Sequence, residues 1–262
     1  MVTEPQHTPN IRRKSSCATV GLHSKFVNRN ARGGSVTAKA QPSNRGPSRR
    51  APSSREPLSR QTVLEAALAI ADADGLNSLS MRKLGAAVGV EAMSLYNHVK
   101  NKGDLVTAIT DKVWAQAEID TDGEPWRPAL RRIAISVHES LMRHPWACGL
   151  QTPGIPPARL RYIDTCLAHL TEGGFSPDVI YHAHHVIDGH IFGFTQQMID
   201  FALAPQLADG SIFDMVRAAA GGEVPHLITH IEAHAYEAQH GTESGFEFGL
   251  DLILEGLERA KP

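Results

Sequence analysis

Fourteen histidines stand in a chain of 262 residues, and several fall at spacings where side chains can act together. His182, His184, His185 and His190 crowd one stretch, and His226, His230 and His234 recur at i, i+4 and i+8. On a helix the i, i+4 spacing stacks imidazoles on one face, where a pair can chelate a transition metal. No cysteine joins them. Cys17, Cys148 and Cys166 are far apart with no CxxC pair, and no carboxylate stands at an obligatory ligand spacing. The histidines therefore read as partly buried or interfacial groups, with neither metal nor cofactor expected. Acid–base chemistry has two candidate pairs, His184 with Asp188 at i, i+4 and His138 with Glu139. Neither comes with a Gly-rich phosphate loop, a GxSxG elbow or an activated-cysteine motif, so an enzyme is the disfavoured reading.

A different chemistry is open to Glu91-Ala92-Met93-Ser94-Leu95-Tyr96-Asn97-His98. With Leu95 turned to a core, Ala92, Met93, Ser94, Tyr96, Asn97 and His98 form an exposed polar and soft apolar surface. Asn97 can pair bidentately with adenine, and Ala92 or Met93 can touch a thymine methyl. Tyr96, His98 and Lys102 suit phosphate oxygens, and Arg82, just upstream, can reach guanine or a phosphate.

Such residues need a rigid carrier. Ser59 is a sound N-cap for an apolar-periodic helix (Val63, Leu64, Ala67, Leu68, Ile70) that Gly75 ends. Ser80 opens a second short helix with Met81, Leu84, Ala87 and Val88; Gly89-Val90 makes the turn, and a third helix covers about 91–98. Asn101 with Asp104 resembles a capping box for a fourth helix to about Glu118. Short helices joined by a Gly-containing turn form a helix-turn-helix pattern. Farther on, Pro125 is placed at the first position of a helix that Pro145 stops at about His144. Helices follow at about 157–173, 177–203, 223–239 and 243–260, with a short one at 211–219. No alternating strand pattern occurs, so the fold class is all-α, a helical bundle.

The run Leu95-Tyr96-Asn97-His98-Val99-Lys100-Asn101-Lys102, at the end of Leu58–Leu105, resembles the DNA-binding domain of the TetR family of transcriptional regulators. Gly123-Glu124-Pro125-Trp126, Gly174-Phe175-Ser176 and the stretch from Phe246 to Leu257 resemble the C-terminal domain of the tetracycline-repressor subgroup. The resemblance implies a helix-turn-helix domain at 58–105 and an effector-binding and dimerisation domain at 106–262. It also implies a homodimer on palindromic operator DNA, acting as a repressor released by a small molecule. Two late helices, about 178–203 and 243–260, would form the dimer bundle. The stripe Phe246, Leu250, Ile253 and Leu257 would lie at the interface, with Gly249 and Gly256 allowing close approach; ordinary intramolecular core is the competing reading.

An effector pocket would draw on Trp114, Glu118, Trp126, Arg132, His138, Met142, Trp146, Gln151, Tyr162, His185, Phe192 and Gln196, mixing aromatic and apolar walls with a few polar groups. At the positions where tetracycline-binding members carry their magnesium-ligating His and Glu, this chain has Gln151 and Met198. Glu118 and Arg132 replace the pocket His and Asn. The expected effector is therefore an organic molecule other than tetracycline–magnesium.

Charge is unevenly placed. Residues 1–57 hold eleven Lys/Arg against Glu4 and Glu56, a local +9, while the remaining fifteen bases and twenty-six acids leave −11. The basic segment, rich in Ser, Pro, Gly and Arg, is expected to be a disordered arm, either simply solvated or adding salt-sensitive DNA contact. A constitutive architectural DNA binder is thus an alternative, though it leaves the large C-terminal part without a purpose. There is no signal-peptide core and no apolar run of membrane-spanning length, so a cytoplasmic protein without membrane contact is expected.

Overall fold

The computed structural model describes residues 58–202, 211–220, 223–234 and 245–261, and among these every regular element is a helix. The expected basic arm, 1–57, and the end of the helix expected at 223–239 lie outside the described residues. The helices are α1 (Arg60–Asp74), α2 (Met81–Val88), α3 (Ala92–Leu95), α4 (Lys102–Trp114), α5 (Trp126–Arg143), α6 (Pro157–Glu172), α7 (Pro177–Ala202), α8 (Ser211–Ala220), α9 (Pro225–His234) and α10 (Gly245–Arg259). Short 3-10 turns at Leu76–Ser78 and Pro145–Ala147 link two of the joints. No described helix is long and apolar enough to cross a membrane.

Local chemistry places most of the boundaries. The Ser59 and Ser80 hydroxyls accept the amides of Thr62 and Lys83, each satisfying a first-turn donor that the helix leaves unpaired. Asn101 does the same for Asp104, and the Asp104 carboxylate reaches back one residue beyond the cap, to the amide of Lys100. Gly75 and Gly89 end α1 and α2 with φ of 77° and 73°, a region closed to most side chains. Pro125 is the N-cap of α5 rather than its first helical residue; its ψ of 149° is extended, and the helix begins at Trp126. The helix expected through 118 ends at Trp114 and relaxes through tighter turns to Ala117.

Two apolar cores result. Val63, Leu64, Ala67, Leu79, Leu84, Leu95, Val99, Leu105 and Ile109 form one, within the first four helices. Val113, Trp114, Leu130, Ile133, Tyr162, Leu170, Ile187, Ile191, Phe246, Leu250 and Leu254 belong to the second, built by α4–α7 and α10. Each fully buried side chain of this size stabilises the fold by about 1.5–3 kcal/mol. α4 serves both cores, Leu105 and Ile109 in the first and Val113 and Trp114 in the second, while Leu68 and Trp146 pack against both. The N-terminal head is thereby fastened to the helical body by one continuous helix.

Candidate functional site

In the head, α2 and α3 come close enough that no side chain fits at Gly85. A Cβ built there meets the Val90 carbonyl oxygen at 2.8 Å and the Ala92 nitrogen at 3.2 Å. The Gly85 carbonyl in turn accepts the Val90 amide at 2.9 Å. Leu84 and Leu95, both fully buried, clamp the two helices from the inside. The α-helical part of the third element is shorter than the expected 91–98. After Leu95 the amides of Tyr96, Asn97 and His98 bond three residues back, which tightens the chain and brings Val99 under the core. The Arg60 guanidinium donates to the His98 carbonyl at 3.1 Å and anchors the far end of this turn to α1. Lys83 and Asp74 add an exposed ion pair at 2.7 Å, which contributes about 0–1 kcal/mol.

This scaffold turns the expected reading surface outward. Met93 is 74% exposed and Tyr96 44%; Asn97, Arg82 and Lys102 are exposed, and Ala92, Ser94 and His98 are half-buried. All eight expected DNA-contact residues belong to elements fixed by the first core, and none is buried.

The expected effector residues divide among several places. Trp114, Gln151 and Phe192 meet in one cavity of about 150 Å³, together with Ala147, Gly149, Leu150 and Arg159. Tyr162 does not reach that cavity; it is buried behind Trp114, ring centres 5.3 Å apart, with its hydroxyl donating to Asp188 at 2.5 Å. Burial, aided by Cys166 and Asp188, raises its pKa well above the ordinary phenol value. Glu118 and Arg132 line a separate, polar depression of about 500 Å³ on α5, with Gln116, Arg131 and Glu139. There Arg132 pairs with Glu124 at 2.9 Å, and the Glu118 side chain is 79% exposed. Gln151 lines the smaller cavity, Glu118 and Arg132 share the larger depression, and Met198 is 37% exposed on α7.

Other expected pocket residues are engaged elsewhere by packing. Trp126 is buried edge-on against Phe175 at 4.9 Å with the Lys261 ammonium over its ring, so it seals the body rather than a pocket. Trp146 sits at the seam of the two cores, where its indole N–H donates to Asp72 of α1 at 2.7 Å. His144 also donates to Asp72, at 2.8 Å, and Gln116 bonds its other nitrogen at 2.9 Å. His185 and Gln196 are exposed on α7, where they bond the Tyr181 carbonyl and Asp200 of the same helix, and Met142 is half-buried. His138 stacks on Phe246 at 4.0 Å, and its Nδ1 lies 2.8 Å from the Thr195 hydroxyl. That hydroxyl donates its one proton to the Ile191 carbonyl, so Nδ1 carries the proton of a neutral His138. Burial, then the neighbouring His190, lowers the His138 pKa.

Phe246 and Leu250, expected at the subunit interface, are 1% and 0% exposed within the single chain. The arc of α10 that carries them is taken by α5 and α7, leaving Ile253 and Leu257 on its margin. Those two line an apolar groove of about 290 Å³ with Val179, His182, Val186 and Leu252.

Nucleophilic chemistry has little support. Burial pushes the Cys166 thiol up to about 12, helped by Asp188, and raises Cys148 as well, so neither forms a ready thiolate. His184 and Asp188 are 3.7 Å apart, and Asp188 is engaged by Tyr162. No cluster of three potential metal ligands occurs among the described residues.

A helix-turn-helix that presents an exposed reading element on an all-helical body defines a DNA-binding transcriptional regulator, not an enzyme. Residues 63–109 match the bacterial regulatory proteins of the tetR family, and residues 120–260 match the tetracyclin repressor-like C-terminal domain. The chain belongs to the TetR family of transcriptional regulators. It is similar to the HTH-type transcriptional repressor DrrR1 of Streptomyces coeruleorubidus, 31% identical over 209 residues, covering 75% of this chain and 76% of that one. The class D tetracycline repressor protein of Escherichia coli is 34% identical over 204 residues, covering 76% and 88% respectively. Among solved structures, a possible TetR family transcriptional regulator from Streptomyces coelicolor A3(2) superposes with a TM-score of 0.61 at 27% identity, covering 77% of this chain and all of that one. ActR of Streptomyces coelicolor in complex with (S)-DNPA has a TM-score of 0.58 at 20% identity, covering 79% of this chain and all of that one, a likeness of fold alone.

Sequence reasoning missed Gly85, Arg60, Asp72 and Arg159. Gly85 carried a usable signal, a glycine inside a short helix four residues before the turn glycine. The other three act through partners 38 or more residues away, or across three helices, and left no local mark.

Proposed function

We propose that the protein is an effector-responsive repressor that binds a palindromic operator as a homodimer. The single observation that carries this reading is α4, which begins beside the reading turn and ends with Trp114 in the wall of the 150 Å³ cavity. A ligand in that cavity acts on the helix that positions the head. It can release DNA only by favouring a dimer whose reading heads are wrongly spaced.

A second copy of the chain is the fitting occupant of the groove between α7 and α10. Its walls are almost wholly apolar, and exposed Tyr181, Val186, Phe248 and Leu252 lie on the same two helices. Two reading heads at fixed separation are what a palindrome requires. The two cores support a division near 58–105 and 106–262, although Ile109 of α4 still packs in the first core. Tetracycline–magnesium is a poor candidate effector, because Gln151 and Met198 stand where the tetracycline-binding members carry their ligating His and Glu.

Fluorescence anisotropy with labelled operator, combined with sedimentation, tests the reading. A dimer that binds a two-fold symmetric site and is released by a small molecule agrees with it. A monomer, or a dimer whose operator affinity no cavity-binding molecule changes, would return the protein to the constitutive architectural class.

A further inference from the structure

Arg159, on the first turn of α6, lies with its guanidinium carbon 5.5 Å from the Trp114 ring centre and 5.4 Å from that of Phe192. Both rings attract the cation and hold it at the wall of the 150 Å³ cavity. Among the described residues no carboxylate stands within ion-pair distance of Arg159 and no acceptor takes its N–H groups. Arg131 and Arg132, by contrast, each have carboxylate partners. A planar guanidinium with open donor edges matches a carboxylate bidentately. The rest of the wall mixes Ala147, Leu150 and the two aromatic rings with Gly149 and Gln151. A cavity of about 150 Å³ has room for a single benzene-sized ring.

We infer that this cavity receives a small carboxylate-bearing molecule with a ring-sized apolar body, its carboxylate held by Arg159. The inference deepens the effector-responsive reading proposed above and rests on it. It also supplies a route for the response. The amide of Ala158, the residue before Arg159, donates to Asp111 of α4 at 2.6 Å. Higher on the same helix, Gly103 and Thr107 pack against Pro153 and Gly154 of the loop that leads into α6. A ligand that draws Arg159 inward therefore shifts the first turn of α6, and that turn is bonded directly to the helix behind the reading head.

The test is a titration of the full-length protein with benzoate, benzamide and inorganic phosphate, followed by calorimetry and tryptophan fluorescence, with operator anisotropy measured in parallel. Benzoate should bind at least about tenfold more tightly than benzamide, the worth of one charge-assisted pair, and phosphate should not compete. Arg159→Gln should remove the preference for benzoate over benzamide, and Arg159→Lys should retain part of it. Equal binding of benzoate and benzamide, benzoate binding indifferent to Arg159→Gln, or no binding of benzoate at all would overturn the carboxylate site. Phosphate binding as tightly as benzoate would reduce it to a bare anion site and overturn the ring-sized body. Arg159-dependent benzoate binding that left operator affinity unchanged would keep the carboxylate site and refute the effector-responsive reading instead.

Discussion

Adding one methyl group at Gly85 puts carbon where the backbone of the helix-turn-helix already lies. The built Cβ sits 2.8 Å from the Val90 oxygen, 0.6 Å short of the 3.4 Å at which ordinary contact begins. The obstacle is backbone, so no side chain can swing aside, and Leu84 and Leu95 pin both helices to the head core. In an open helix the same change would gain about 0.5–1 kcal/mol from lower unfolded-state entropy. Overpacking against backbone that cannot move aside belongs in the upper half of the usual range, about 2–3 kcal/mol, so Gly85→Ala should destabilise the head by about 1–2.5 kcal/mol net. For a body of this size that is about 2–10 °C in Tm. Relief of the contact requires α3 to move away from α2, which displaces Met93, Tyr96 and Asn97 from the groove. Base contacts worth about 1–3 kcal/mol each then weaken, and operator affinity should fall about tenfold or more. Thermal unfolding and anisotropy on operator and random duplexes measure both effects. A Gly85→Ala protein with wild-type operator affinity and an equal or higher Tm would refute the close-approach account.

Asn97→Ala should relax preference at one base position by about 1–3 kcal/mol, whereas Lys102→Ala should weaken all duplexes and lower the salt slope by about one unit; unchanged base preference in Asn97→Ala, read by competition with single-base operator variants, would remove Asn97 from the reading set. Ile253→Asp should give a folded monomer by sedimentation, while Leu250→Asp, which buries a charge in the chain's own core, should fail to fold; a dimeric Ile253→Asp would move the interface elsewhere. His138 is held neutral, with its folded pKa below the ordinary 6.5, so its burial supports the fold above that value and stability is lost as the pH falls below it. Tm should drop on acidification from about pH 7.5 to 5.5, less steeply in His138→Phe, and an unchanged slope in that variant would refute the assignment.

The elements most legible in the sequence were those set by short-range chemistry. Ser59, Ser80 and Asn101 declare helix starts because a side-chain oxygen two or three residues from an orphan amide is a local fact. The outward set from Ala92 to His98 was legible for the same reason, since burying Leu95 leaves little choice for its neighbours. The sharing of α10 was not legible. Phe246, Leu250, Ile253 and Leu257 form one stripe by periodicity, and only the approach of α5 and α7 decides where core ends and free surface begins. The cavity was half legible: Trp114, Gln151 and Phe192 were named among twelve candidates, but their meeting with Arg159 joins three helices and a loop. Trp126 and Trp146 were drawn into the candidate set by residue type, and tertiary packing assigned them to a seal and a seam.

The seam bears on how a signal crosses the molecule. Asp72 of α1 accepts from both His144 and Trp146, so the head is tied to the body at a second point, next to the C-terminal end of α4, where Gln116 bonds the same His144. With α4 as the only link, motion at its cavity end could be absorbed by rotation of the whole head. The Asp72 clasp fixes a second point, and a displacement of α4 relative to it must then change the orientation of the head, not merely its position. In the proposed effector response, Asp111 would couple α4 to the α6 side of the cavity, and Thr107 and Gly103 would couple it to the loop between. Such coupling is reciprocal: whatever factor a cavity ligand takes from operator affinity, operator DNA takes from the ligand, and about 1–3 kcal/mol is the usual scale. The charge-assisted bonds on Asp72 and Asp111 are each of that size, so strain delivered by one ligand is comparable to what either tie can hold.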